Sequence, residues 1–516
     1  MIGRAAVCAL ALSACRRGAA TANMDAHLGA PGPGDVFVHL FEWRWTDVAK
    51  ECEAYLGPAG FSAVQVSPPS EHAVLAGFPW WQRYQTVSYA LDESRSGTAD
   101  EFRDMVRRCA AVGVGIYVDA VINHMTAQAS GVGSHGTRFT KYAYPGVYAA
   151  GDFHAPPCAI ADADYVSAPD RVRRCELLGL ADLDTGAPAV RARIAGYLSS
   201  LVAMGVAGFR IDAAKHIDPA DLDAILRDVA ASVGPDALPT YDFEVIDHGG
   251  EAIHSSDYLP TGQGAVAAAY VIEFKYGAVA DAFAGVNGQS IAGLRALGAG
   301  FLPSERAVVF VDNHDTQRAS SLFYQDAPAY DLATVFLLAW PYGYPQILSS
   351  FAFDRATQAG RDQGPPSDAA GHTRPVWPAG ATAPDCATDA DVLTLPPQPA
   401  GRWLCEHRRP FVARMIAFRK ATADAPTVTN EWDDGADALA FGRGAKGFVV
   451  VNNGAAALHR TFTTSLPAGS YCDVYGGALD AGHCTGTAIA VAADGSADIA
   501  VTAGSAVVVH AGARLP

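Results

Sequence analysis

The stretch Gly208-Phe209-Arg210-Ile211-Asp212-Ala213-Ala214-Lys215-His216 carries the clearest structural signal in this chain. Its alternation of apolar and charged residues predicts a short buried strand whose last residues emerge at the carboxyl end. Arg210 and Asp212 are two positions apart and therefore lie on the same side of the strand. A buried arginine beside a carboxylate favours the ionised form, which a nucleophile requires. A structural ion pair capping the strand accounts for this run equally well.

Short apolar runs of this kind alternate with helical patterns along most of the chain. We predict strands at 36–40, 61–66, 115–122, 208–212, 241–245, 270–274, 307–311 and 345–349. Strands that alternate with helices pair in parallel, and eight such units are typical of a closed (β/α)8 TIM barrel, an α/β fold.

Two regions depart from this rhythm. Residues 123–187 show little helical pattern and contain two cysteines, so we expect a small inserted domain after strand three rather than disorder. Beyond Pro426, short strands with Gly and Asp turns predict a C-terminal antiparallel β-sandwich domain. The predicted domains are a barrel at 35–122 and 188–424, the inserted domain at 123–187 and the sandwich at 425–516.

Length and charge limit the function classes. The 516 residues suggest about two to four structural units. A formal net charge of −17 argues against nucleic acid or an anionic membrane as partner, since neither attracts an acidic surface. The balance fits a neutral substrate, and we expect a monomer.

The first residues look like a targeting signal. Arg4 precedes an apolar run, Ala5 to Ala14, that is too short to cross a bilayer. Cleavage after Ala22 predicts a signal peptide at 1–22 and a secreted protein. The alternative is a lipoprotein box, Leu12-Ser13-Ala14-Cys15, with Cys15 as the lipidated residue. No other run is long and apolar enough for a transmembrane helix.

The remaining cysteines are even in number, which in an exported chain implies disulfides. Their spacing indicates local pairing of Cys158 with Cys175, Cys386 with Cys405 and Cys472 with Cys484, which leaves Cys52 for Cys109.

Several predicted strands end in acidic and basic residues. In a barrel of this kind the active site lies at the carboxyl ends of the strands. The residues there are Asp119, Asn123, His124, Arg210, Asp212, Lys215, His216, Glu244, Asp312, Asn313, His314 and Asp315. Any one acid is as well explained by a cap or a turn, but such residues at four separate strand ends are hard to obtain by chance.

Paired carboxyls suit cleavage of a glycosidic bond, in which one attacks the anomeric carbon and another protonates the leaving oxygen. Arg210 is expected to lower the pKa of Asp212 and so to mark it as the nucleophile. Glu244 has apolar neighbours and no adjacent cation in the sequence, which favours a protonated acid. Asp315 is placed to hold substrate hydroxyls. No Ser-His-Asp motif or phosphate-binding loop competes with this interpretation.

Aromatic side chains follow the second strand in Pro79-Trp80-Trp81-Gln82-Arg83-Tyr84-Gln85. Aromatic rings stack on the apolar faces of sugars, although such a cluster also occurs in protein cores.

Together these stretches resemble the α-amylase family of glycoside hydrolases (family 13), and most of all its secreted animal-type and actinobacterial-type members. The motifs are Asp119-Ala-Val-Ile-Asn-His124, Gly208-Phe-Arg-Ile-Asp212 with Lys215-His216, Phe243-Glu244-Val-Ile-Asp247 and Phe310-Val-Asp-Asn-His-Asp315. The resemblance runs from about Val36 to the C-terminus.

The resemblance implies Asp212 as nucleophile, Glu244 as general acid/base and Asp315 as transition-state stabiliser, with retention through a covalent glycosyl-enzyme. It also implies a set of substrate-binding residues, namely Trp80, Trp81, Tyr84, Gln85, His124, Arg210, Lys215, His216, Glu251 and His314. The implied substrates are α-glucan polysaccharides and maltooligosaccharides.

A structural Ca²⁺ is implied as well, bound by Asn123, Asp182 and the carbonyls of Arg173 and His216. Such oxygen ligands suit a hard cation. Asp182 as an ordinary loop acid is the alternative.

Two departures from the family pattern stand out. Animal-type members bind chloride through an arginine, an asparagine and a further basic residue, and Gln346 stands at the third position here. A neutral amide supplies no positive charge, so no chloride is expected. The family's Gly-rich loop after Arg318 is replaced by Ala319-Ser-Ser-Leu322.

The sequence therefore predicts an endo-acting α-amylase that cuts internal α-1,4-glucosidic bonds of starch and glycogen. The alternatives are a maltooligosaccharide-forming exo-enzyme or transglycosylase of the same family, and a non-catalytic glucan-binding protein on this scaffold. The full set of acids argues against the last.

Overall fold

The computed structural model describes residues 35–260, 269–387 and 401–516. The predicted signal peptide and Cys15 lie outside this range. Within it, no helix is long and apolar enough to cross a membrane.

Eight parallel strands close into a barrel, as predicted. In chain order they are β1 (Phe37–Leu40), β2 (Ala63–Val66), β3 (Gly115–Ala120), β6 (Gly208–Ile211), β7 (Thr240–Phe243), β8 (Ala269–Ile272), β9 (Ala307–Val309) and β10 (Tyr344–Ser349). Neighbours around the barrel follow the order β1-β10-β9-β8-β7-β6-β3-β2, and β2 pairs again with β1. Strands β4 (Ser130–Val132) and β5 (Arg138–Thr140) lie outside the barrel, in the segment between β3 and β6.

Alternation along each strand separates two apolar environments. On β6, Phe209 and Ile211 face outward into the main core between the strands and the helices. Arg210, between them, faces the barrel interior. The amino end of that interior is filled by large side chains such as Phe37, Tyr270 and Tyr344. The barrel interior is therefore filled by large side chains at the amino ends of the strands and polar at their carboxyl ends, where the site is expected.

Helices surround the barrel. They are Trp45–Glu51, Gly57–Ala59, Ala99–Ala111, Pro188–Ala203, Pro219–Val233, Gly277–Ala284, Ala329–Ala339, Gln358–Arg361 and Pro410–Ala421. The first helical segment is α-helical over Trp45–Glu51 and continues as a π-helix over Cys52–Leu56. A capping box between Thr98 and Glu101 begins Ala99–Ala111.

The segment between β3 and β6 is ordered. It contains the strand pair β4 (Ser130–Val132) and β5 (Arg138–Thr140) and the helices Asp162–Ser167 and Pro169–Arg174. The Phe139 and Tyr144 rings stack at 5.6 Å between centroids. The predicted disulfide Cys158–Cys175 is present, as are Cys52–Cys109, Cys386–Cys405 and Cys472–Cys484. The limits that we assign to the domains stay predictions.

The C-terminal part is a β-sandwich, as predicted. Its strands are β11 (Val428–Asp433), β12 (Ala438–Arg443), β13 (Gly447–Asn452), β14 (Leu458–Thr463), β15 (Gly469–Cys472), β18 (Ala488–Val491), β19 (Ser496–Val501) and β20 (Ser505–His510), with a hairpin of β16 (Leu479–Asp480) and β17 (His483–Cys484). One sheet has the order β11-β12-β13-β20 and the other β14-β19-β18-β15. Side chains of both sheets, including Phe448, Val507, Phe462 and Ile499, share one core.

Arg443 joins the sandwich to the barrel. Its guanidinium donates to three backbone carbonyls, those of Ala339 (2.7 Å), Thr422 (3.0 Å) and Ala425 (2.8 Å). The side chain is buried, and burial lowers its pKa to about 9. A buried cation bound by carbonyl oxygens alone depends on all of these bonds.

Replacing Arg443 with Met is therefore expected to lower the free energy of unfolding by about 3 kcal/mol, because three carbonyls, two of them buried, lose their donor. The measurement is chemical denaturation followed by circular dichroism. Arg460→Met is the control, since Arg460 is exposed and lies over the Trp432 ring at 4.8 Å and the Phe462 ring at 5.9 Å. Equal stability of the two variants would contradict the role of Arg443.

Candidate active site

The guanidinium of Arg210 is the centre of the candidate site. Nη1 donates to Asp119 Oδ1 (2.5 Å) and to Asp212 Oδ1 (2.8 Å), and Nη2 donates to Glu244 Oε1. Asp119 and Arg210 are register partners on β3 and β6, and Glu244 follows β7, the next strand. Only 2% of Arg210 is exposed. Barrel closure thus brings three carboxyls from three consecutive strands to one cation.

The backbone beyond β6 and β7 aims two of these carboxyls. Asp212 N donates to Ala120 O and Glu244 N to Ile211 O, both at 3.1 Å, so the parallel ladder extends past the strand ends. Ala213 then turns the chain with a left-handed φ of 49°. Its N–H donates to Glu244 Oε2 (2.8 Å). Asp212 and Glu244 are therefore held side by side at the mouth of the barrel.

The electrostatics of Asp212 differ from the sequence prediction. Burial raises its pKa well above the ordinary value, Arg210 opposes this rise, and Glu244 and Asp119 add to it. The prediction that Arg210 leaves this pKa lowered is wrong, because the arginine is shared among three carboxyls. Burial likewise raises the pKa of Asp119, to about 6. The cluster carries more carboxylates than cations and so retains protons near neutral pH.

Glu244 also departs from prediction. The sequence places no cation beside it, yet in the fold it shares Arg210 with Asp212. The contact crosses from β6 to β7, and neighbours along the chain give no sign of it.

Asp315 lies on the open side of the cluster. Its side chain is 42% exposed, against 9% for Asp212. Asn313 Oδ1 accepts from the N–H groups of Asp315 (3.0 Å) and Thr316 (2.8 Å), which fixes the turn after β9. The Asp315 carboxylate is thus free to face a ligand.

Tyr84 connects the aromatic loop to the acids. Its hydroxyl donates to Asp119 Oδ2 (2.8 Å) and lies 2.9 Å from His314 Nε2. The Tyr84 and His314 rings are stacked at 5.3 Å, and His314 Nε2 is 3.2 Å from Asp315 Oδ2. His124 Nε2 lies 3.1 Å from the Tyr84 carbonyl and 4.0 Å from Asp212 Oδ2.

Trp80 and Trp81 are both partly exposed, so neither is a pure core residue. Trp80 Nε1 donates to Arg361 O (3.0 Å), and Trp81 Nε1 donates to Asp362 Oδ1 (3.3 Å). Gln85 turns away, and its Oε1 accepts from Ala127 N (2.8 Å). The indole rings therefore lie at the edge of the cleft, and Gln85 links this aromatic loop to the inserted segment.

Comparison with known proteins agrees with this geometry. Residues 54–236 match the α-amylase catalytic domain, and residues 430–512 match the α-amylase C-terminal all-beta domain. The chain is 44% identical to an α-amylase of Thermomonospora curvata over 95% of its own length and 75% of the relative's. It is 43% identical to human α-amylase 1B over 90% and 91% of the two chains.

The chain belongs to the α-amylase family, and it is a glycoside hydrolase. Among solved structures, α-amylase I of Eisenia fetida in complex with maltohexaose superposes with a TM-score of 0.82. That protein is 38% identical, and the match covers 93% of this chain and 98% of the other.

Lys215 follows the turn after β6, where its N–H donates to Glu244 O (3.1 Å), and it is almost fully buried. Its ammonium group donates to Glu251 and to the carbonyl of Ile246, and it lies 5.0 Å from the Tyr165 ring centroid. His216 Nδ1 lies 2.9 Å from Val172 O in the inserted segment. The predicted substrate residues on this side therefore also join the barrel to that segment.

The residues predicted to bind calcium form two groups, Asn123 with Asp182 and Arg173 with His216. Asn123 Nδ2 is 3.4 Å from Asp182 Oδ1, and His154 Nδ1 is 2.6 Å from Asp182 Oδ2. Burial raises the pKa of Asp182 to about 6. Arg173 follows Val172, whose carbonyl meets the His216 ring. No cluster of three or more His, Cys, Asp or Glu side chains suited to a metal occurs among the described residues.

That finding does not conflict with the predicted donor set, since the set has one carboxylate and otherwise amide and backbone oxygens. Among the hydrogen bonds of the described segments, none ends on the carbonyl oxygens of Arg173 or His216. A buried carboxylate, an amide oxygen and backbone carbonyls are the kind of oxygen ligands that suit a hard cation.

Sequence reasoning assigned no role to two residues of this region. Asp119 stood among the strand-end residues, but only the fold reveals its bond to Arg210. Arg318 follows Asp315 by three positions, and its guanidinium lies 4.3 Å from the Trp80 ring centroid and donates to His314 O. The sequence signal that could have identified Arg318 is its position three residues after the candidate acid Asp315.

Proposed function

We propose that this glycoside hydrolase is a secreted, endo-acting α-amylase that hydrolyses internal α-1,4-glucosidic bonds of starch and glycogen with retention of configuration. One observation carries the proposal: Asp212 and Glu244 bind the same guanidinium, with the partly exposed Asp315 beside them. Two carboxyls bound to one guanidinium favour the short separation of a retaining mechanism over the wider gap, roughly 6.5–9.5 Å, that admits a water in an inverting one. The four disulfides support export, and we infer action as a monomer.

In this mechanism Asp212 attacks the anomeric carbon while Glu244 gives its proton to the leaving glycosidic oxygen. The glycosyl-enzyme ester on Asp212 is then hydrolysed by a water whose proton returns to Glu244. The Ala213 N–H and Arg210 hold Glu244 in place through both steps. Asp315 and His314 hold substrate hydroxyls and stabilise the positive charge that develops on the sugar.

Substrate binding follows from the edges of the cleft. Trp80, Trp81 and Tyr84 offer apolar faces to sugar rings on the donor side. Lys215, His216 and Glu251 lie on the acceptor side of Glu244. Lys215 already donates hydrogen bonds to Glu251 and to Ile246 O, so it positions Glu251 for a sugar hydroxyl.

Replacing Glu244 with Gln is expected to lower the rate of starch hydrolysis about 10²- to 10⁴-fold, because the amide has no proton to give. Reducing ends measure the rate. Iodine colour measures chain length, and the wild type is expected to lose colour while few reducing ends appear, as endo cleavage requires. Glu53→Gln, on the barrel surface, is the control and keeps full activity.

Unchanged activity of Glu244→Gln would disprove the mechanism. Slow colour loss with many reducing ends would instead indicate an exo-acting member of the family.

We further propose that Asn123, Asp182 and the carbonyls of Arg173 and His216 bind a structural Ca²⁺ that pins the inserted segment to the barrel. Calcium balances the charge of the Asp182 carboxylate, which is buried beside Asn123 and His154. Chelation is therefore expected to lower the melting temperature, and added Ca²⁺ to restore it.

Asp182→Asn tests the assignment, because it should melt early and respond little to EDTA or Ca²⁺. Asp170→Asn, an exposed acid of the same segment, keeps the wild-type response. A melting temperature of the wild type that EDTA does not change contradicts the site.

The proposed activity needs no chloride. Gln346 Nε2 donates to Gln65 Oε1 (2.6 Å), and Gln65 Nε2 lies 3.5 Å from Asp119 Oδ2. An anion at this position meets amides and a carboxylate, and the charge of Arg210 is already neutralised.

Activity in sodium gluconate is accordingly expected to equal activity in sodium chloride at the same ionic strength, measured on soluble starch. A several-fold rise with chloride would show this expectation to be wrong.

A further inference from the structure

Asp242 is a buried acid that the proposed mechanism does not use. It lies in the middle of β7, where its register partners are Arg210 on β6 and Tyr270 on β8. Tyr241 and Phe243, on either side of it, face outward into the main core. Asp242 therefore points into the barrel, below Glu244 on the same strand. Only 5% of the residue is exposed.

The carboxyl of Asp242 has no hydrogen-bond partner among the described side chains and backbone, on either oxygen. Arg210 gives its Nη1 and Nη2 bonds to Asp119, Asp212 and Glu244 instead. Leaving a buried polar group unpaired costs stability that an apolar residue avoids. A residue kept at this cost, directly below the catalytic acid, calls for a function.

Three charged groups act on Asp242, and the Tyr117 hydroxyl on β3 also interacts with it. Arg210 on β6 lowers its pKa, whereas Glu244 beyond β7 and Asp119 on β3 raise it. Burial is the largest influence, and the pKa rises to about 8. Asp242 thus lies within the electrostatic influence of the Glu244 carboxylate, and burial favours its neutral form at neutral pH.

We propose that Asp242 is a positioning residue for the catalytic proton, and that its carboxylate holds this proton on the Asp242–Glu244 pair as the pH rises. The inference rests on the proposed role of Glu244. Residues two apart on a strand are about 6.6 Å apart. A negative charge at that distance in a buried site strengthens proton binding at its neighbour about tenfold.

The sign of the effect follows from the order of the two ionisations. At acidic and neutral pH, Asp242 is protonated, and an amide in its place changes little. Above about pH 8 it carries a charge, and losing that charge releases the catalytic proton sooner. The loss of activity on the alkaline side is therefore expected to begin at a lower pH without Asp242.

The test is the pH profile of kcat/KM on a maltooligosaccharide for the wild type and for Asp242→Asn. We expect values within about threefold near pH 6, and an alkaline limb moved about one pH unit lower in the variant. Glu406→Gln is the matched control. Glu406 is equally buried with a pKa of about 8, but the acid that acts on it is Asp312 rather than Glu244. Its alkaline limb stays at the wild-type position.

A second variant guards against misfolding. Asp242→Ser is smaller and neutral, and sodium formate, a carboxylate of the missing size, is expected to restore its alkaline activity where sodium chloride at equal ionic strength does not. The proposal is overturned if both variants keep the wild-type alkaline limb, if they lose activity equally at every pH, or if neither folds. The activity of Glu244→Gln on starch remains the separate test of the proposed function.

Discussion

The buried guanidinium of Arg210 is the constraint on which the rest of this structure depends. It binds Asp119, Asp212 and Glu244 together. Removing charges from water costs several kcal/mol for each, and only close pairing offsets that cost. Three carboxyls cannot share one cation unless β3, β6 and β7 hold their register, so the site tolerates little movement of the barrel. The geometry of the catalytic acids therefore depends directly on the pairing of these strands.

The surroundings of the barrel keep that register. The disulfide Cys52–Cys109 joins two helices that pack on the first strands. The His216 ring meets Val172 O and so anchors the inserted segment beside the β6 turn. Arg443 binds carbonyls at the ends of two barrel helices from the sandwich side. Each device fixes a loop or helix end close to a strand and leaves the cleft open above Asp315.

The sequence was sufficient for the barrel because alternation and length report which residues face a core. All eight predicted strands and all four disulfides are present. Of the C-terminal strands, the sequence predicts those at 438–442, 447–452, 458–462, 488–492 and 506–510, but not β11, β15, β16, β17 or β19. β11 is nowhere fully buried, so its sequence lacks the apolar face that marks a strand. The sequence predictions about the charges of the site failed for another reason. Neighbours along the chain reveal neither burial nor contacts between strands, so neither the second carboxyl of Arg210 nor the unpaired Asp242 was visible.

This failure concerns more than two residues. Asp119, Asp212, Asp242 and Glu244 all lie around one arginine, and burial raises the pKa of the first three. Carboxyls this close do not titrate independently, because each proton that leaves one raises the affinity of the others. The acid and alkaline limits of the enzyme then belong to the cluster as a whole. A residue that never touches substrate can therefore set the pH at which the catalytic proton is lost, provided that it lies on the same strand and has no partner of its own.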